Sequence, residues 1–271
     1  MARNGRGKLT VLLIPRVLLS CSLLVGLIYG QLGRTQVANE RTAEVADAIA
    51  KVRSGKFNGY HVGIIGEARA VEAVPDLEKQ FTRTSEPIEK AKIAQVLLLL
   101  GDRKDVYWNY LVEAVKPALE TDVPSPIHYD TAGKSVQGLS QDFVTWAQAH
   151  GQSPDQAGEN AVYILPGIVM MLGSTADPRA VPFLRQALSS PNYQIAAAAA
   201  MGIAETQDVI SIPTVISRCK DAPAEAAGSI AESLVYFNDP RAQDAVDTFV
   251  PKEHAKALRE ARKMGRGPLH R

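Results

Sequence analysis

Two short glycine-containing motifs are the places where the sequence comes closest to known catalytic patterns. Gly133-Lys134-Ser135 resembles the end of a phosphate-binding loop, but that loop requires a glycine at position 128, where the chain has His128. The segment GLSQD at 138–142 resembles the turn that carries a nucleophilic serine, but Asp142 stands where that turn needs its second glycine. The sequence predicts no strand before either motif, although both patterns require one. Neither motif therefore predicts phosphate binding or nucleophilic catalysis.

Metal-binding and acid–base residues are too scattered to predict a site. No two of the five histidines have the i, i+4 spacing of a zinc site on a helix, and none lies near a cysteine. His128, Asp130 and His150 share one segment and could meet at a metal ion, but three such residues in one loop are common. The acidic residues form no pair suited to general acid and base catalysis. We therefore expect no catalytic residue, no metal ion and no other cofactor.

The composition of the 271 residues is that of an ordinary globular domain. Hydrophobic residues make up 46% and charged residues 22%, which suffices to bury a sizeable core. Aromatic residues make up only 6%, so the core must consist mainly of small aliphatic side chains, which suits closely packed helices. The net charge of +1 gives no reason to expect a nucleic-acid partner. Cys21 and Cys219 cannot build a disulfide framework, and we expect Cys219 to be a partly buried helix residue.

The first 30 residues have the pattern of a membrane-targeting segment. A basic start precedes an apolar stretch from Leu9 to Gly30, which Arg16 interrupts. As a signal peptide, this segment would have residues 17–29 as its apolar core and would be cleaved near Gly30. An uncleaved membrane anchor fits the same pattern, and LLSC ending at Cys21 leaves a lipoprotein open. We therefore expect a chain that is exported or anchored in the membrane, with its folded part on the extracytoplasmic side.

A repeat with a period of about 31 residues runs through the rest of the chain. Three segments align without gaps and carry a proline near a helix start: AVPDLEKQF at 73–81, AVPFLRQAL at 180–188 and SIPTVISRC at 211–219. The motif DPRA occurs at 177–180 and again, two periods later, at 239–242. Its aspartate is suited to cap the incoming helix, and its proline presets the first helical turn. Each repeat therefore predicts a first helix that begins at a capped turn.

Alanine-rich segments follow these first helices and predict a packed second helix in each repeat, at 88–101, 193–205 and 224–237. Alanine is the best helix former and lets helices approach closely. One pair of helices cannot bury its apolar face alone, so the stacking of pairs must supply the core. The flanks extend this pattern, with an amphipathic opening helix within 31–57 and a polar, basic closing helix and tail at 251–271.

The segment GSTADPRAVPFLRQALSSPNYQIAAAAAMGIAE, residues 173–205, resembles a HEAT repeat of the short bacterial type, which also occurs in phycobilisome lyases. The resemblance covers residues 58–120 and 159–250. Together with the helical period, it implies an all-α fold without a sheet, in which antiparallel helix pairs form a right-handed α-solenoid behind the apolar targeting helix. HEAT repeats are general-purpose scaffolds, so the resemblance predicts architecture and says little about function.

The periodicity fails over residues 121–158, where prolines and glycines predict a long loop. One short helix is expected inside this insertion, with Ser140 as its N-cap and Gly151 at its end. Insertions of this kind project from one face of a solenoid, often the binding face. Its aromatic residues could instead only pin the insertion onto the helices. The candidates for partner binding lie in the insertion or just before it: Trp108, His128, Tyr129 and Trp146.

Three functional classes fit these patterns. The first is a non-catalytic scaffold that binds a protein partner and is held at or outside the cytoplasmic membrane. The second is a sensor that binds a small ligand or a carbohydrate, which would require Trp108 and Trp146 to meet at an exposed groove. The third is an accessory of an enzyme or chromophore lyase, which the lyase-like repeats favour and the targeting segment does not. We expect the scaffold, with a protein partner, a membrane contact through the first 30 residues and no nucleic acid.

Overall fold

The computed structural model describes residues 41–119 and 122–264. Residues 41–54 are helical and form α1. The chain divides into two compact units, residues 1–47 and 48–271. Apart from the beginning of α1, every described element belongs to the second unit.

The second unit consists mainly of helices. Four follow α1 in the first part of the unit: α2 (Gly59–Glu67), α3 (Val74–Arg83), α4 (Pro87–Leu99) and α5 (Asp105–Val115). The insertion then contains two strands and two short helices: β1 (Ile127–Tyr129), β2 (Ser135–Leu139), α6 (Gln141–Ala149) and α7 (Pro154–Glu159). A π-helical turn at Asn160–Ile164 leads into the last part: α8 (Leu165–Ser174), α9 (Val181–Leu188), α10 (Tyr193–Glu205), α11 (Ile212–Lys220), α12 (Ala224–Ala231), α13 (Pro240–Phe249) and α14 (Lys252–Lys263).

The predicted alternation of first and second helices produces two layers. The second helices pack side by side in the order α2, α4, α8, α10 and α12, and the first helices α3, α5, α9, α11 and α13 cover one side of them. Fully buried aliphatic side chains such as Leu172, Leu184 and Ile203 fill the space between the layers. The second helix predicted at 193–205 coincides with α10. The one predicted at 224–237 is α-helical only to Ala231 and continues as a 3₁₀ turn.

The predicted aspartate caps are present at both DPRA motifs. Asp177 accepts a hydrogen bond from the backbone N–H of Arg179, and the Arg179 guanidinium returns to the same carboxylate at 2.8 Å. Asp239 and Arg241 repeat this arrangement, with a guanidinium–carboxylate distance of 2.7 Å. These local hydrogen bonds satisfy backbone groups at the helix starts, so each repeat begins at a defined residue.

The turns before three of the first helices share a backbone conformation that the sequence does not predict. Arg69, Ala176 and Gln207 have φ angles of 55°, 52° and 53°, in the left-handed region that glycine prefers. Each stands directly before the residue that precedes a 3₁₀ turn, and each 3₁₀ turn leads into a first helix. The repeat is therefore preserved in the backbone even where the residue types differ.

The prediction of a fold without a sheet is wrong in the insertion. β1 and β2 pair as an antiparallel hairpin in a segment that the sequence predicts to be loop. The Asp130 carboxylate accepts hydrogen bonds from the backbone N–H groups of Ala132 and Lys134, both at 2.9 Å, and Gly133 has a φ of 74°. These bonds fold the chain back on itself. The expected helix with Ser140 as N-cap is present as α6.

Candidate partner-binding surface

The second helices expose one strip of side chains each on the side that the first helices leave open. The residues with solvent contact recur every three or four positions, as they do on a helix that is packed on its other sides. Neighbouring strips touch: the Gln95 side-chain amide of α4 donates to the Ser174 hydroxyl of α8 at 2.5 Å. We call these strips together the second-helix surface; they belong to α2, α4, α8, α10 and α12.

The centre of the second-helix surface is apolar and carries no charge. Residues 160–176, which include α8, contain no Asp, Glu, Lys or Arg, and α10 contains only Glu205. Tyr163 is 70% exposed and Met170 is 44% exposed. Exposed apolar groups that lie together often mark an interaction site, and methionine adapts its shape to different partners. We call this region the central band; its residues are Tyr163, Gly167, Met170, Ala197 and Met201.

Two glycines, which have no side chain, bring α8 and α10 unusually close beneath the central band. A methyl group built on Gly173 would lie 2.4 Å from the Cα atom of Gly202, closer than real Cβ contacts occur. The two helix backbones are therefore in contact at this point. Because Met170 and Met201 lie within one turn of it on their helices, the strips of α8 and α10 form a continuous surface.

Charged residues border the central band on both sides. On the α2 and α4 side, burial lowers the pKa of Lys92, and the nearby Glu67 carboxylate partly offsets this change. On the other side, Glu205 ends α10, and Glu232 follows α12. Burial raises the pKa of Tyr236, the negative charges of Glu232 and Glu205 raise it further, and the Arg262 guanidinium partly offsets this change, so charges of both signs lie near this phenol. His254 Nε2 lies 2.9 Å from a Glu232 carboxylate oxygen.

A family model described as HEAT repeats matches residues 165–235. Residues 165–235 therefore carry HEAT repeats. The match begins with α8 and ends in the 3₁₀ turn after α12, so it includes every residue of the central band except Tyr163 and confirms the predicted resemblance over residues 165–235. A comparison with curated proteins and one with solved structures gave no match.

Trp108, the first predicted contact residue, is only 7% exposed and offers almost no surface to a partner. Its ring lies against the Phe183 ring, with the centroids 6.4 Å apart, and the Arg179 guanidinium lies 4.3 Å from its centroid. Trp108 thus joins α5 to α9 across the point where the insertion interrupts the series of helix pairs.

His128 and Tyr129 lie on β1 and face different environments. His128 is exposed, whereas the half-buried Tyr129 ring packs edge-on against Tyr193 at the start of α10, with centroids 5.9 Å apart. Burial raises the pKa of Tyr129, which a hydrogen bond with Gln194 partly offsets. Tyr129 therefore serves to hold the hairpin on a HEAT-repeat helix.

Trp146 lies in a separate small core inside the insertion. Its ring packs between Phe143, at 5.6 Å, and His150, at 4.6 Å. Phe143 is fully buried in the same core, with Val123, Ala147, Ala157 and Ala161 around it. The four predicted contact residues thus lie in three different surroundings, and the two tryptophans do not meet at a groove.

The tip of the hairpin docks on the N-terminus of α12. The Gly133 carbonyl accepts a hydrogen bond from the backbone N–H of Glu225 at 3.0 Å. The Glu225 carboxylate in turn accepts hydrogen bonds from the backbone N–H of Ser135 at 2.7 Å and from its hydroxyl at 2.9 Å. These bonds lower the pKa of Glu225, the backbone N–H of Ser135 most of all. Lys134 and Ser135, which resemble the end of a phosphate-binding loop in the sequence, are therefore part of a hairpin that caps the N-terminus of α12.

The described residues also bear on the expected metal and membrane contacts. Within 41–119 and 122–264, no group of three or more His, Cys, Asp or Glu side chains could hold a metal ion. Asp130 shapes the hairpin turn, and His150 ends α6, so these two have separate roles. In the same part of the chain, no helix is both long and apolar enough to span a bilayer. The predicted targeting segment, residues 1–30, lies outside the described residues.

The central band was not predicted from the sequence, although one signal for it exists. An apolar helix without charges is expected to be buried on all sides, and α8 fits that description. Tyr163, in the turn before α8, and Met170, on α8, interrupt the aliphatic residues on one side, but the pattern alone does not reveal that these two side chains are exposed. The contacts of α8 with α4, α5 and α10 supply this information.

Proposed function

We propose that this chain is a non-catalytic scaffold that binds a protein partner on its second-helix surface. The observation that carries the proposal is the central band, where Tyr163 is 70% and Met170 is 44% exposed within the uncharged segment 160–176. Burying such side chains against a partner is favourable by about 25 cal/mol per Å² of apolar surface. The band offers a phenol, thioethers and methyl groups, which support binding by contact rather than catalysis.

The proposal moves the binding site away from the insertion. Tyr129 and Trp146, which the sequence favoured as contact residues, are engaged by Tyr193 and by Phe143. The same arrangement removes the main support for a carbohydrate sensor, because Trp108 is buried elsewhere.

Two further parts of the proposal rest on the sequence alone. We propose that the helix pairs stack with a right-handed sense, as the resemblance to HEAT repeats implies. We also propose that the first 30 residues carry the chain to the membrane, with the repeats on the extracytoplasmic side. Fusing residues 1–38 to a reporter that is active only outside the cytoplasm tests the second point, and an inactive, soluble fusion would contradict it.

Photo-crosslinking in cells tests the binding surface. The full chain would carry p-benzoylphenylalanine at position 163 in one variant and at position 210 in a control. Ile210 is 75% exposed but lies on the turn before α11, away from the second-helix surface. We expect a discrete adduct from position 163 that Met170→Lys abolishes, and none from position 210. Equal adducts from both positions, or adducts insensitive to Met170→Lys, would contradict the proposal.

A further inference from the structure

Tyr163, the most exposed residue of the central band, lies in the π-helical turn at Asn160–Ile164. The backbone N–H of Leu165 donates to the carbonyl of Asn160, five residues earlier in the chain. In an α-helix the same N–H would bond to Ala161, four residues earlier. The turn thus contains one residue more than an α-helical turn, and single π turns of this kind are frequent at functional sites.

Pro166 accounts for this irregular turn. The helical residues 154–174 run without a break from α7 through the π turn into α8, and Pro166 lies in their interior. Proline has no backbone N–H, and its ring clashes with the carbonyl four residues earlier in an α-helix. A π turn is wider than an α-helical turn, so it accommodates the ring without ending the helix.

The π turn leaves the Ala161 carbonyl without a partner along the helix. Its α-helical partner would be the N–H of Leu165, which bonds to Asn160 instead. Its π-helical partner would be the N–H of residue 166, which proline lacks. Ala161 is only 2% exposed, and an unpaired carbonyl at a buried position is costly. The turn therefore depends on a hydrogen-bond donor from elsewhere in the chain.

The side chain of Asn192 supplies this hydrogen bond. Its Nδ2 donates to the Ala161 carbonyl at 2.9 Å, and Asn192 is fully buried. Its Oδ1 accepts from the backbone N–H of Gln194 at 3.0 Å and so caps α10. This second bond fixes the amide with its NH₂ group towards Ala161. Asn192 thus connects the start of α10 to the turn that carries Tyr163.

We propose that Asn192 is a positioning residue for partner binding, because its hydrogen bond to Ala161 holds the π turn in the arrangement that presents Tyr163 on the central band. This role rests on the proposed function, in which Tyr163 contacts the partner. Closing the turn to an α-helical one would rotate the chain before Pro166 by about 100°, the rotation per residue of a helix. A side chain about 6 Å from the helix axis would then move by roughly 9 Å and leave the strip of Met170.

Distance measurements between two nitroxide labels test the positioning without a partner. The full chain would carry Cys21→Ser and labelled cysteines at positions 163 and 210, since Cys219 is buried. Residue 210 lies on the turn before α11. Asn192→Ser keeps a capping oxygen for α10, but serine is too short to replace the bond to Ala161. We expect the distance distribution to broaden or shift by several Å, up to roughly 9 Å.

Two further variants make this result specific. Asn58→Ser is the matched control, because the Asn58 side chain likewise caps a helix, α2, and has no contact with the π turn. It should keep the distribution of the parent chain. Pro166→Ala gives residue 166 an N–H group, which the Ala161 carbonyl can accept within the helix. Combining it with Asn192→Ser should therefore narrow the distribution again.

Photo-crosslinking in cells connects the position of residue 163 to binding. With p-benzoylphenylalanine at position 163, Asn192→Ser should lower the yield of the adduct about fivefold, the effect expected from one lost hydrogen bond. With the same group at position 170, which lies on α8 after the turn, the yield should stay near that of the parent chain. Circular dichroism and the urea midpoint check that each variant is folded.

The outcomes separate the positioning role from the proposed function. If Asn192→Ser and Asn58→Ser give the same distance distribution, Asn192 does not position residue 163, and the inference is refuted while the binding surface stands. If the adducts from positions 163 and 170 fall together, Asn192 supports the fold as a whole, and the inference is again refuted. If neither position gives an adduct in the parent chain, the proposed function fails, and the inference fails with it as a statement about binding.

Discussion

The contact between α8 and α10 makes a specific prediction about Gly173. In Gly173→Ala, the new methyl group would lie 2.4 Å from the Cα atom of Gly202 and 3.4 Å from its backbone N and C atoms. The contacted atoms are backbone and cannot rotate away, so the two helices must move apart by roughly 1 Å to reach ordinary packing distances. Overpacking of this kind costs about 1–3 kcal/mol, and a backbone contact belongs at the upper end.

The helix itself partly offsets this cost. Alanine favours a helix over glycine by about 1 kcal/mol, so the net loss in the free energy of unfolding should be roughly 2 kcal/mol. Gly167→Ala is the matched control, because it makes the same chemical change on α8 where no atom lies within 4 Å of the new methyl group. That variant should gain up to about 1 kcal/mol. The two variants should therefore differ by roughly 3 kcal/mol.

Urea unfolding monitored by circular dichroism measures this difference. The urea midpoint of Gly173→Ala should fall, and that of Gly167→Ala should stay or rise. The free energy of unfolding should depend on the urea concentration with the same slope in both variants. If the free energies of unfolding of the two variants differ by less than about 0.5 kcal/mol, the helices are not in backbone contact and the argument is refuted.

Three further predictions concern a turn, the hairpin and a thiol. Ala176→Gly should raise the free energy of unfolding by about 1 kcal/mol in the same assay, because a left-handed residue with a Cβ atom is strained. The hydrogen bonds from Ser135 hold the pKa of Glu225 below its ordinary value. Their contribution to the free energy of unfolding is therefore complete above about pH 4.5 and is lost as the pH falls through the lowered pKa. Glu225→Gln should weaken the acid dependence of the urea midpoint, and an unchanged acid dependence would count against the docked hairpin. Burial raises the pKa of Cys219 to about 12. In a Cys21→Ser chain, where Cys219 is the single thiol, a thiol reagent at neutral pH should therefore react only after unfolding. Rapid reaction of the native chain would contradict the burial of Cys219.

The helices could be predicted well because their signals are local. Alanine-rich stretches, prolines at first turns and the capping aspartates Asp177 and Asp239 act within a few residues of their position. α10 was therefore placed correctly from its composition. The left-handed turn at Ala176 was not predicted, because alanine gives no sign of that conformation and only the surrounding turn imposes it.

The hairpin could not be predicted with the same ease, because its strands are short and its anchor is distant. β1 has three residues, and β2 has five with mostly exposed side chains, so neither shows a hydrophobic alternation. A local signal did exist, since Asp130 and Gly133 occupy the first and fourth positions that favour a turn. Its docking site, Glu225, lies 90 residues further along the chain.

The central band was missed for a related reason. Whether an apolar helix is buried or exposed depends on which helices surround it, and among the described residues α8 packs mainly against α4, α5 and α10. The sequence of α8 by itself therefore does not distinguish a fully buried helix from one with an exposed strip.

The docked hairpin changes how the stack of repeats should come apart. In a simple repeat array each unit touches only its neighbours, so the ends can unfold while the middle stays intact. Here Gly133 and Ser135 connect the insertion directly to α12, and Tyr129 connects it to α10. The repeats on the far side of the interruption cannot open without releasing the hairpin. The insertion therefore couples the later repeats, which should unfold cooperatively rather than one by one.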